Sequence, residues 1–208
     1  MVQRFLLGCL LIAASACSQR APWRVIPAPA AASAQARSAP VPRPMLAAAA
    51  DPTAVAHLSS LLFPVPGVDS TRLDDTFDEP RDGGTRKHNA IDIMAPRGTP
   101  VLSVQDGRIL RLTTNANGGI TVYATDPEEQ FVYYYAHLDR YHPGLYTGRA
   151  LLRGDTLGYV GTTGNAPKDL PHLHFQVMRM PADRKYWNGE PINPYPLLRP
   201  SASLPLGQ

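Results

Sequence analysis

From Leu61 onward the chain is a succession of short apolar runs punctuated by Gly, Pro, Asn and Asp, and this pattern restricts the fold more than any other feature. Pro100 to Leu112, Gly119 to Thr125, Gln130 to Leu138, Thr156 to Val160 and Leu173 to Met178 are rich in β-branched and aromatic residues and predict strands. No long stretch carries convincing helical periodicity. Two pieces share a form, Pro100 to Ile109 and Leu152 to Val160. Each sets a tight turn between apolar segments, as a compact hairpin does. The expectation is a mainly β fold, largely antiparallel, with long loops and little helix.

A length of 208 residues suits one domain with tails. Arg4 and the apolar stretch Phe5 to Ala16 read as a secretory signal, too short to span a bilayer comfortably. Its end, Ala14-Ser15-Ala16-Cys17, permits two routes: ordinary signal peptidase cleavage, or lipoprotein processing that leaves Cys17 as a lipidated N-terminus. Cys9 and Cys17 are the only cysteines, and Cys9 falls in the segment to be removed. The mature chain then holds one thiol and no intramolecular disulfide, which favours a lipid attachment site at Cys17. Ser18 favours the outer membrane in a Gram-negative host. From about Gln19 to Asp51, Ala, Pro, Ser and Arg dominate, as in an extended tether that cannot bury a core. Ala47 to Ala50 begin a possible short helix toward Leu62. The expected divisions are a signal at 1–16, a tether at 17–56, a domain at 57–200 and a tail at 201–208. The formal charge of +3 is spread thinly, without a dense basic run, which argues against a nucleic-acid partner.

Four of the six histidines fall in three segments, His88 to Asp92, Tyr135 to Leu138 and His172 to Phe175. Zinc takes three His or Asp ligands at a catalytic site and keeps a fourth position for water, and further histidines beside it serve as base and acid. Strand geometry gives the spacing meaning, because residues two apart share a face about 6.8 Å apart. His172, His174 and Gln176 are expected on one face, with Leu173, Phe175 and Val177 packed on the other. Tyr133, Tyr135 and His137 are expected to project together. If His88 to Met94 is extended, His88 and Asp92 share a face while Ile91 and Ile93 point inward. Tyr133, Tyr134 and Tyr135 either line a groove or serve as ordinary strand aromatics. His57 and His142 belong to no such pattern and read as surface residues.

These segments resemble the three signature motifs of the M23 metallopeptidases, the lysostaphin and LytM-type family. The flanking pieces agree: Pro96 to Val101, Asp106-Gly107, and Gly161 to Asn165. The resemblance runs from about Leu62 to Pro196. It implies an antiparallel β-sheet core of the duplicated hybrid motif type, with a groove bordered by loops. It implies zinc held by His88, Asp92 and His174, with His137 and His172 as catalytic histidines. It also implies a peptidoglycan peptide substrate, hence an exported protein of the periplasm, lipid-anchored if Cys17 is modified. The sequence departs from the family twice. Ala90 stands where Gly is usual, restricting the backbone, and the loop from Gly164 to His172 is longer and lacks its usual Gly. A wall protein that binds or activates other hydrolases is the alternative, and it would tolerate lost ligands, whereas all five positions are filled. A lipoyl-type carrier is disfavoured because neither hairpin tip offers the needed lysine.

Overall fold

The computed structural model describes Leu58 and residues 61–199. The expected signal, tether and tail therefore lie outside the described residues, as does His57. Of the helix expected toward Leu62, Leu58 is described, and it is helical and buried.

The strands are β1 (Pro80–Arg81), β2 (Arg86–Lys87), β3 (Ile91–Met94), β4 (Pro100–Leu102), β5 (Gly107–Asn115) and β6 (Gly119–Thr125). They continue with β7 (Phe131–Tyr141), β8 (Ala150–Leu151), β9 (Thr156–Val160), β10 (His172–Arg179) and β11 (Glu190–Ile192), followed by a one-turn helix, Tyr195–Leu198. All pairings are antiparallel. Nine strands form one sheet in the order β11-β10-β7-β6-β5-β8, with β3 added to β10, β9 to β7, and β4 to β9. β1 and β2 make a separate small hairpin.

Alternation fixes one face of this sheet as the core. Leu173, Phe175 and Val177 of β10, Tyr133 and Tyr135 of β7, and Ile91 and Ile93 of β3 are all buried on it. Burial of each large side chain here is worth about 1.5–3 kcal/mol, enough to lock the register, since a one-residue slip would expose the whole set. Two of those tyrosines also bring polar ends inward. The Tyr135 hydroxyl accepts from Val104 N (3.1 Å), and the Tyr133 hydroxyl donates to Gln105 Oε1 (2.7 Å).

The two look-alike segments are not self-contained hairpins. β4 pairs with β9 of the other segment, and β5 with β8, which immediately precedes that segment, so each segment bends at a corner that lies against the other. The corners satisfy one another: Ser103 N donates to Asp155 O (2.8 Å), Gly154 N to Ser103 O (2.9 Å), and Arg153 N to Asp106 Oδ1 (2.7 Å). A corner of this width leaves backbone groups unmet within its own segment, and those groups need an outside partner. The single strand expected over Pro100 to Leu112 is accordingly split at Ser103–Asp106.

Candidate metal centre and groove

The five expected residues meet on the open face of the sheet. Cross-strand pairing does the first part: His174 lies directly opposite Asp92 of β3 on one side and Ala136 of β7 on the other. His172 and His174 share this face of β10, as strand parity requires.

His88 and His137 arrive by another route. The segment from His88 is not extended: Asn89 has φ 58°, the chain bends at Ala90, and β3 begins only at Ile91. His88 therefore reaches the site from a turn fastened by His88 N to Glu79 O and Asn89 N to Phe77 O, both 2.9 Å. The left-handed residue is Asn89 rather than Ala90, so the alanine is accommodated without strain.

His137 does not share a face with Tyr133 and Tyr135. It sits in a β-bulge with φ 60°, where the pairing of β7 with β6 shifts between Ile120 and Val122. The extra residue reverses the parity of β7. Tyr133 and Tyr135 go to the core, while Tyr134 and His137 join the site, their ring centroids 6.1 and 5.5 Å from that of His174. A left-handed histidine costs about 1–3 kcal/mol. Its backbone N–H donates to Gly118 O (2.7 Å) and its ring to Thr163 O (2.8 Å), which offsets the strain.

The hydrogen bonds set the tautomers. Nδ1 of His88, His137 and His172 lies 2.9, 2.8 and 2.8 Å from the carbonyls of Thr76, Thr163 and Leu170. A carbonyl only accepts, so each Nδ1 carries a proton and in the neutral ring Nε2 is the atom with the lone pair. Nε2 of His88 lies 3.1 Å from Asp92 Oδ1 and 3.0 Å from His174 Nδ1, and His174 Nδ1 lies 3.1 Å from the same oxygen. Two acceptors facing each other across 3.1 Å repel unless a cation or proton lies between them. A tetrahedral ion with bonds of about 2.0–2.1 Å holds its donors about 3.3 Å apart, so the triangle fits zinc after a small expansion. His88, Asp92 and His174 are thus able to hold a metal.

Charge states agree with that role. Burial works to raise the Asp92 carboxyl, but the neighbouring His174 and His88 rings outweigh it and hold the group well below the usual carboxylate range. Burial pushes His137 down to about 4, against the pull of the Thr163 carbonyl, and burial also lowers His174. A carboxylate held ionised and histidines biased toward the neutral form at His137 and His174 suit metal ligation.

A cleft surrounds the centre. Arg81, Met94, Pro167 and Leu170 border one end, and Asn117, Tyr134 and Gln176 the other. The long loop after Gly164 thus walls the groove, as its position in the sequence suggested. His142 departs from expectation: it is half-buried, with an enclosed Nδ1 that has no hydrogen-bond partner among the described residues and its ring 6.4 Å from that of Tyr159. No sequence motif marks Thr76 and Thr163, whose carbonyls orient His88 and His137, or Arg81, whose Nη2 donates to Asp92 Oδ2 at 2.9 Å. Asp82-Gly83-Gly84 was the available signal for the β1–β2 turn that carries Arg81.

Residues 86–194, just over half the chain, match the pattern of Peptidase family M23. The chain belongs to that family. It is 34% identical over 122 residues to the L-Ala–D-Glu endopeptidase of Bacillus subtilis (strain 168), covering 56% of this chain and 36% of that protein. It is 32% identical over 122 residues to the DD-carboxypeptidase/endopeptidase Mpg of Neisseria meningitidis serogroup B, covering 57% of this chain and 24% of the other. The structure of Helicobacter pylori Csd3 superposes with a TM-score of 0.52 at 30% identity, covering 68% of this chain and 35% of Csd3. The chain therefore spans well under two thirds of each of these proteins.

Proposed function

We propose that this protein is a zinc metalloendopeptidase that hydrolyses peptide cross-links of bacterial peptidoglycan. The observation that carries the reading is the donor triangle of His88, Asp92 and His174 with two bare histidine nitrogens beside it. Zinc bound there would supply a Lewis acid that activates water and polarises the scissile carbonyl. His137 and His172, ring centroids 4.9 Å apart, are the groups that move protons. Their Nδ1 atoms are committed to backbone carbonyls, so exchange occurs at Nε2, which accepts from attacking water and returns a proton to the leaving amine. The neutral state of His137 at pH 7 suits it to accept.

The names of the two curated relatives support a peptide of the cell wall as substrate, and with it export to the compartment that holds the wall. Lipidation of Cys17 would tether the domain to the membrane. Among the described residues, no helix is long and apolar enough to cross a membrane. Digestion of purified peptidoglycan with the zinc-loaded protein, read as released muropeptides, tests the activity and reveals the bond. No cleavage at one zinc per chain would reject it.

A further inference from the structure

Arg81 is the one cation in contact with the metal-ligand triangle among the described residues, and it comes from outside the sheet that builds the site. β1 and β2 pair as Pro80↔Lys87 and Arg81↔Arg86, so the hairpin lays Arg81 beside the groove just ahead of His88. Its guanidinium is clamped on two sides: Nη1 contacts Glu79 Oε2 at 3.0 Å and Nη2 donates to Asp92 Oδ2 at 2.9 Å. The Arg81 side chain is 30% exposed and that of Asp92 21%, so the pair is substantially shielded from water. Asp92 divides its oxygens. Oδ1 faces His88 and His174, and Oδ2 is taken by Arg81.

We infer that Arg81 is a positioning residue that confines Asp92 to one-oxygen ligation and so keeps the fourth metal position open. This rests on the zinc reading given above. A carboxylate free at both oxygens can bind a cation through both, which would fill the position that an open catalytic site needs. Holding Oδ2 in a charge-assisted hydrogen bond removes that option and fixes the carboxylate plane. The planar fork of arginine matters, because one nitrogen engages Glu79 while another engages Asp92. Lysine offers a single compact charge in its place.

The test is zinc affinity by chelator competition on full-length wild type, Arg81→Ala, Arg81→Lys and Glu79→Gln, with the cobalt-substituted visible spectrum as a second readout. Circular dichroism of the metal-free proteins verifies that each is folded. Arg81→Ala should bind zinc roughly 10–100-fold more weakly, the range seen for lost partners of metal ligands. Its cobalt bands should lose intensity as coordination rises above four, and Arg81→Lys should recover only part of the affinity. Glu79→Gln should show a smaller change in the same direction, and it serves if Arg81→Ala fails to fold. Wild-type affinity and an unaltered cobalt spectrum in folded variants would overturn the positioning role and leave the zinc reading intact. A wild type that binds no zinc would overturn both.

Discussion

At the residue scale the five polar residues divide by what their atoms face. His174 supplies a nitrogen to the donor triangle, whereas His137 touches that triangle only through its ring neighbours. His174→Ala should therefore lose zinc and peptidase activity together. His137→Ala should keep most of its zinc and lose activity by roughly 100- to 10,000-fold, the range for a missing acid–base group. Zinc content and muropeptide turnover on the same preparations decide between these roles. Full activity in His137→Ala would falsify the catalytic assignment. Protonation gives a second expectation, for the metal-free protein. Burial holds His137 at about 4, against the ordinary imidazole value of 6.5. The unfolded chain then binds more protons than the folded one between these values, so stability falls as pH drops through that window. Asp92, lowered in the fold, loses its contribution further down, as pH falls below the ordinary carboxylate value. Urea unfolding should give about 1–3 kcal/mol less stability at pH 4.5 than at pH 7, and His137→Gln should flatten part of that slope.

At the scale of elements, two turns hold the bulge that carries His137. Gly119 and Gly164 have φ of 66° and 70°, and a Cβ at Gly164 would lie well inside contact distance of Asn117 O and Gly119 N. Between them, Thr163 accepts from Ile120 N (2.9 Å), donates to Leu138 O (2.7 Å) and offers its carbonyl to His137. Gly164→Ala should cost about 2–4 kcal/mol from left-handed strain plus overpacking. It should also lower turnover of the surviving folded protein, because the Thr163 carbonyl moves with the turn. A denaturant midpoint at the wild-type value would refute the tight packing of these turns. On the other face of the sheet, Phe175→Ala should cost about 3–5 kcal/mol by leaving a cavity beneath the site. Zinc affinity of the folded fraction should change little, since the neighbouring His174 faces the opposite way.

At the scale of the whole molecule, the site is a property of the sheet and its flanking hairpin. A chain beginning at residue 57 should unfold in one cooperative transition and cleave muropeptides at the full-length rate. Loss of the transition would mean that the preceding residues contribute to the core. In a bacterial host, the intact chain should carry lipid at Cys17 and partition with membranes, whereas Cys17→Ala should not. Mass spectrometry that finds an unmodified mature N-terminus at Cys17 would exclude the anchor.

Strand alternation was legible in the residues themselves. Leu173, Phe175 and Val177 against His172, His174 and Gln176 is a local pattern with a period of two, and burial of one face enforces it without reference to anything distant. The spacing of His and Asp and the family motifs likewise marked all five residues that the fold brings together. Only the tertiary structure decided how His88 and His137 reach the site, because a bulge or turn breaks the period and depends on distant carbonyls such as Gly118 and Thr163. The same is true of the crossed pairing of the two look-alike corners, where each segment's unmet backbone groups find partners in the other. The Arg81 contact with Asp92 depends on how the β1–β2 hairpin lies against β3. A periodic pattern records which way a side chain points, but which elements become neighbours is set by long-range packing that no local window contains.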